Sequence, residues 1–170
     1  VRDLNGRMVT LDDGTPLKYY PMAVKLDLSG DPHEKTAGAR MKKYEVDPTG
    51  TKDGNQSDND IVLFRYADVL LMRAEAMVRN GENGDEYLAM VRRRVGESPR
   101  HATLATLLDE RMLELSWEGW RRNDLIRFGE FARAYTHHTP LPDEANGWST
   151  CFPLPGDFLA ITGCKQNPGY

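Results

Sequence analysis

Leu63, Ala67, Leu70, Ala74 and Met77 recur at intervals of four, three, four and three residues. That rhythm sets all five on one face of a helix, and Phe64, Leu71 and Val78 widen it. A stripe this broad must be buried against another element, and the following sequence supplies more helices. Asp60 stands where its carboxylate can cap the first turn. Asn80-Gly81 closes the helix, because glycine takes the left-handed conformation at little cost. The spacing predicts a second helix over about 85–95, with Leu88, Val91 and Val95 inward. Arg92, Arg93 and Arg94 fall in its last turn, where cations complement the negative end of the helix dipole. A third helix, over about 103–117, carries Leu104, Leu107, Leu108, Met112 and Leu115. A fourth, over about 123–135, carries Leu125, Ile126, Phe128 and Phe131, with Gly129 in its middle.

The flanks are of another kind. Residues 1–60 hold six glycines and four prolines and read as turns with short strands. Met8 to Leu11 and Leu17 to Tyr20, joined through Asp13-Gly14, predict a β-hairpin. Val24, Leu26 and Leu28 alternate with Lys25 and Asp27 as in a half-buried strand, and residues 40–46 offer another. After Thr139, five prolines exclude any long helix, so residues 136–170 read as an extended tail lying along the helices. The fold class is therefore mainly α, read as one domain of 170 residues: loops and short strands over 1–60, helices over 61–135, then the tail. Helix pairs joined by short turns suggest helical-hairpin packing, but no repeat of fixed period is present.

Composition removes several functions. A net charge of −4 argues against a general nucleic-acid surface, which needs an excess of lysine and arginine. No apolar run approaches the ~18 residues of a membrane span; Val69 to Met72 is flanked by Asp68 and Arg73. Cys151 and Cys164, with twelve residues between them, either close a short disulfide loop or stand as two unpaired small residues. Without matched histidines they form no zinc site.

Catalytic patterns are weak. Glu110, Glu114 and Glu118 recur every four residues and share a helical face. Glycosidases use paired carboxylates, but those flank the substrate, whereas these point the same way. A structural role is the better reading, with Arg121, Arg122 and Arg127 as the nearest cations and Arg65 pairing Asp68 along the first helix. Trp117, Trp120 and Phe128 would add apolar cover. Asp53 to Asp58 begins like a calcium loop but lacks glycine at its sixth place and glutamate at its twelfth. His137-His138 lies outside any metal-binding helix pattern, and no nucleophile elbow or phosphate loop occurs. No metal ligand set, cofactor or catalytic residue is assigned.

Three segments, in order, carry a specific likeness. They are Arg65-Tyr66-Ala67-Asp68-Val69-Leu70-Leu71-Met72-Arg73-Ala74-Glu75-Ala76, the run from Glu110-Arg111-Met112-Leu113-Glu114-Leu115 through Ser116-Trp117-Glu118-Gly119-Trp120-Arg121-Arg122-Asn123-Asp124-Leu125-Ile126-Arg127-Phe128-Gly129, and Gln166-Asn167-Pro168-Gly169-Tyr170. Together they resemble the C-terminal part of the SusD/RagB family, specifically from about residue 60 onward. The resemblance implies a TPR-like, SusD-like arrangement of helical hairpins. It also implies a C-terminal fragment of a longer chain whose export signal and lipid anchor lie upstream. Its implied function is non-catalytic capture of a nutrient, usually an oligo- or polysaccharide, at the cell-surface side of the outer membrane. The implied partner is a TonB-dependent, SusC-like transporter. Two other readings stand beside it: a freestanding helical-repeat interaction module, and a glycoside hydrolase using Glu110 or Glu114. Sugar binding needs aromatic faces with polar groups at the rim. Trp148, in a loop after Asn146-Gly147, and Tyr19 and Tyr20, at the end of the proposed hairpin, are the candidate contacts.

Overall fold

The computed structural model describes residues 1–3, 5–50, 57–135 and 138–170. The loop over 53–58 falls largely outside the described residues, as does His137. Two compact units divide the chain, Val1–Ile61 and Val62–Tyr170.

The second unit is built on five helices: α1 Tyr66–Arg79, α2 Asp85–Arg94, α3 Leu104–Glu114, α4 Arg121–Arg127 and α5 Gly156–Thr162. The stripe on α1 does what its spacing demands, burying Leu70, Leu71 and Ala74 against Leu88 and Val91 of α2 and Leu107 of α3. Each such leucine stabilises the unit by about 1.5–3 kcal/mol when fully withdrawn from water. The hairpin between α1 and α2 turns at Gly81, whose φ of 78° is the left-handed conformation expected there. The two helices then meet closely at Gly84, where a Cβ atom would stand 2.6 Å from the Ala74 carbonyl oxygen. Asp85 ties the start of α2 to the α3 entry by accepting the Ala102 amide at 2.6 Å. Thr103 caps α3 in a reciprocal capping box with Thr106.

The helices differ from the sequence reading in their boundaries, α3 ending at Glu114 rather than near Trp117, and in which residues they bury. Asp60 is no cap: α1 starts at Tyr66, and its N-cap is Arg65, held extended at φ −138°, ψ 161°. Leu63 and Phe64 therefore lie before the helix and are exposed. The cause is Arg65, whose side chain leaves the helix to reach α3. Val95, the C-cap of α2, and Leu104 and Met112 on α3 are exposed rather than inward, since each helix has neighbours on part of its circumference only. α4 stops at Arg127, because Gly129 takes φ 74° and turns the chain away before Phe131.

The tail is less extended than its prolines suggest. Two 3₁₀ turns, Glu144–Asn146 and Trp148–Thr150, precede α5, which fits in the proline-free interval between Pro155 and Pro168. Gln166 donates to the Leu154 carbonyl and accepts from the Leu154 amide, Asn167 donates to the Phe152 carbonyl, and the Tyr170 hydroxyl donates to the Cys151 carbonyl. This register sets Cys151 beside Tyr170 and leaves both cysteines unpaired and exposed.

In the first unit the expected hairpin is reduced to an antiparallel bridge between Thr10 and Pro16, with the Leu17 amide donating to the Val9 carbonyl. Neither Val24 to Leu28 nor residues 40–46 form a strand; Val24 and Leu26 are exposed, so their alternation meets no second layer. Among the described residues, β structure is limited to isolated bridges. None of the described helices is long and apolar enough to cross a membrane.

Candidate functional site

The carboxylates that the sequence brings to notice are buried and joined to arginines from other elements. Arg111, 2% exposed, lies at the centre. Its Nε donates to both oxygens of Asp124 at 2.9 Å and its Nη1 to Asp68 Oδ1 at 2.7 Å, joining α3 to α4 and α1. Arg127 extends the chain of charges from Asp124 to Glu75, which Arg79 also contacts. A second group forms around the glutamates of the α3 face. Arg65 holds Glu118 through Nε and Glu114 through Nη1, Arg94 chelates Glu114, and Arg92 binds Glu110.

These partners correct the sequence reading. Arg65 does not pair with Asp68, because the capping residue points off the helix that carries Asp68. Arg121, Arg122 and Arg127 are bound to other groups. Arg121 donates to the Leu108 carbonyl at 3.0 Å, and Arg122 donates to Ser149 and Thr150 carbonyls while lying 4.0 Å over the Phe152 ring. The cations are instead Arg65, ahead of α1, and Arg92 and Arg94 at the end of α2, where the arginine run signalled only dipole complementation. Trp117 supplies no cover: it is 77% exposed. Burial raises the Glu75 carboxyl, and hydrogen bonds from Arg127 and Arg79 more than reverse this, leaving it below its ordinary value of 4.5. Such a constellation fixes helices in place and leaves Glu110 and Glu114 no open face towards a substrate.

The candidate ligand contacts separate into kinds. Tyr19 is half-buried beneath the Arg40 guanidinium, 4.5 Å from its ring centroid. Tyr20, its neighbour, faces outward. Its backbone is fixed on the segment over 36–38, accepting from the Gly38 amide and donating to the Thr36 carbonyl. Its ring centroid lies 4.2 Å from that of His33. The pair borders an open cleft of about 730 Å³ that Asp12, Asp13, Lys18 and Lys35 also line. Hydrogen bonds from the Thr15 hydroxyl and amide lower the Asp13 pKa, keeping it an acceptor at neutral pH. An aromatic face beside carboxylates and ammonium groups can receive a sugar ring and its hydroxyls.

Trp148 belongs to the other unit and is half-buried. Gly169 lies so close to it that a Cβ there would stand 2.6 Å from the tryptophan Cβ, and Tyr170 meets the indole edge-on at 5.1 Å. The indole also borders a cleft of about 400 Å³ with Asp143, Asn146 and Cys151. Its Nε1 is buried with no acceptor among the described residues. Among those residues no cluster of histidine, cysteine, aspartate or glutamate could hold a metal ion.

Comparison with known proteins agrees with this frame. The profile of the SusD family matches residues 12–170. The starch-binding protein SusD of Bacteroides thetaiotaomicron is 35% identical over 139 residues, covering 77% of this chain and 25% of that protein. A solved laminarin-binding SusD-like protein superposes with a TM-score of 0.52 at 35% identity, over 64% of this chain and 23% of that one. The chain thus spans about a quarter of the length of these relatives. With the profile extending over nearly all of its residues, the chain belongs to the SusD/RagB family.

Proposed function

We propose that this chain is part of a non-catalytic glycan-capture protein, lipid-anchored at the outer surface of the outer membrane, that passes its ligand to a TonB-dependent, SusC-like transporter. The observation that carries the reading is the family match, whose named relatives bind starch and laminarin. The side chains support binding without catalysis, since Glu110 and Glu114 are buried and held by arginines. Within this chain, Tyr20 is the ligand platform, with His33 beside it and the acidic and basic rim of its cleft contacting hydroxyls. Tyr19 supports the platform from beneath Arg40, and Trp148 acts mainly in seating the last residues.

Affinity electrophoresis of the complete gene product through gels containing laminarin or starch tests both parts. Retardation of the parent protein, reduced by Tyr20→Ala, is the expected result. Equal retardation of the Tyr20→Ala protein would move the site elsewhere, and no retardation by any polysaccharide in a broad panel would remove the glycan assignment. Product analysis after incubation addresses the competing enzyme class: oligosaccharide release that disappears on Glu114→Gln would show a glycosidase.

A further inference from the structure

The loop over 139–151 and the residues over 166–170 form the two walls of the cleft at Trp148, of about 400 Å³. Each wall is held by its own bonds. The buried Glu144 pins the loop from both sides, accepting the Leu141 amide and the Ser149 hydroxyl at 3.0 Å each. Arg122 ties the same loop to α4 through the Ser149 and Thr150 carbonyls. Opposite, Asn167 donates to the Phe152 carbonyl and the Tyr170 hydroxyl to the Cys151 carbonyl, which fixes Pro168 and Gly169 between them. Only glycine fits at 169, because a Cβ there would stand 2.6 and 2.7 Å from Trp148 Cβ and Cγ. The seat of the last residues therefore also shapes a cavity, and its volume is within the roughly 300–1,000 Å³ of small-molecule sites. A site held in this way gives up little conformational freedom on binding.

The lining has a definite chemistry. Trp148 and Pro168 supply ring surfaces, and Tyr170, 49% exposed, stands edge-on beside the indole. Asp143 and Asn146 are exposed polar members of the same lining. A primary amide both donates and accepts, and a carboxylate accepts. Together they match neighbouring hydroxyls, each of which does both, while an aromatic face receives the C–H surface of a sugar ring. Among the described lining residues there is neither lysine nor arginine, and the one formal charge is that of Asp143. A uronate or sulfate group would meet a like charge here with no cation to offset it.

We propose that the Trp148 cleft is a second sugar subsite, distinct from the Tyr20 cleft, which takes neutral hexose units and turns away uronate or sulfated ones. It rests on the glycan reading given above. Trp148 packs against the sugar ring, and Asn146 and Asp143 hold its hydroxyls.

The two exposed, unpaired cysteines supply a test that needs no substitution, since Cys151 lines the cleft and Cys164 does not. The complete gene product is alkylated with iodoacetamide, and both rates are read by peptide mass spectrometry. The probes are laminari-, malto-, cello- and manno-oligosaccharides, with oligogalacturonate as the anionic control. At least one neutral probe should slow Cys151 severalfold relative to Cys164, and oligogalacturonate should not. Asn146→Ala, an exposed change, should abolish that protection, whereas Tyr20→Ala should preserve it. Protection lost on Tyr20→Ala would be transmitted from the other cleft and would overturn the proposal. Equal protection by oligogalacturonate, or protection that survives Asn146→Ala, overturns it too. Unchanged Cys151 rates in a protein that the polysaccharide gels still retard would sink the subsite and leave the glycan reading standing. No retardation by any polysaccharide would remove both.

Discussion

Arg111 stands between Asp68 and Asp124 with all three side chains almost wholly withdrawn from water. Removing it would strand two buried carboxylates, one of which, Asp68, already has an oxygen without a donor among the described residues. Arg111→Ala should therefore lower unfolding stability by about 3–5 kcal/mol, the range for breaking a buried pair, as read by urea denaturation. Arg121→Ala removes a single bond to a carbonyl and should cost about 1 kcal/mol. A loss at Arg121 as large as at Arg111 would contradict this assignment of partners. The sequence pointed to Arg121 because it is near the glutamates in the chain. It showed correctly that Glu110, Glu114 and Glu118 share a face, since a period of four does that by geometry. It was silent on what stands opposite. Glu114 meets an arginine 49 residues away and another 20 away, and local spacing carries no information at that range. The orientation of Tyr19 and Tyr20 was similarly half-legible: of two adjacent residues in an extended segment one faces outward, but only the backbone pairing of Tyr20 with residues 36–38 decides which.

The helices themselves were legible where apolar spacing sets them and illegible at their ends. α2 and the body of α1 follow directly from their stripes. The start of α1 was missed because the capping preference of Asp60 gave way to a tertiary contact, the reach of Arg65 to Glu114 and Glu118. α4 was drawn too long because Phe131 continues the helical spacing beyond Gly129, while the backbone at Gly129 does not. Two substitutions probe the elements as units. Thr103→Ala removes one half of the capping box at α3 and should cost about 1 kcal/mol, seen as a small fall in the denaturation midpoint. Gly84→Ala brings a methyl group against the Ala74 carbonyl, between backbones that cannot give way easily. A loss of about 1–3 kcal/mol is expected, and an unchanged midpoint would mean that α1 and α2 approach less closely than described.

Across the whole molecule, acid should act through the buried carboxylates. Glu75 has a folded pKa below its ordinary 4.5, so its pairing stabilises the fold fully above that value. The contribution is lost as the pH falls from 4.5 through the lower folded value. Thermal melts in this acid range should show stability falling with pH, and Glu75→Gln should flatten part of that slope while lowering stability at neutral pH. An unaltered slope would locate the acid sensitivity elsewhere. The network has a further consequence, for how such a sequence can change over generations. Asp68, Glu75, Arg111, Asp124 and Arg127 form one lock and Arg65 with Glu114 another, spread over three stretches of chain. A single codon change at any of them strands a charge, and its remedy lies in a distant stretch that would have to mutate in the same lineage. Exposed positions such as Val24 or Ile161 carry no such debt and are free to drift. Descendants of a common ancestor should therefore diverge in what they bind long before they diverge in these charged residues, so that ancestry stays readable after ligand preference has been rewritten.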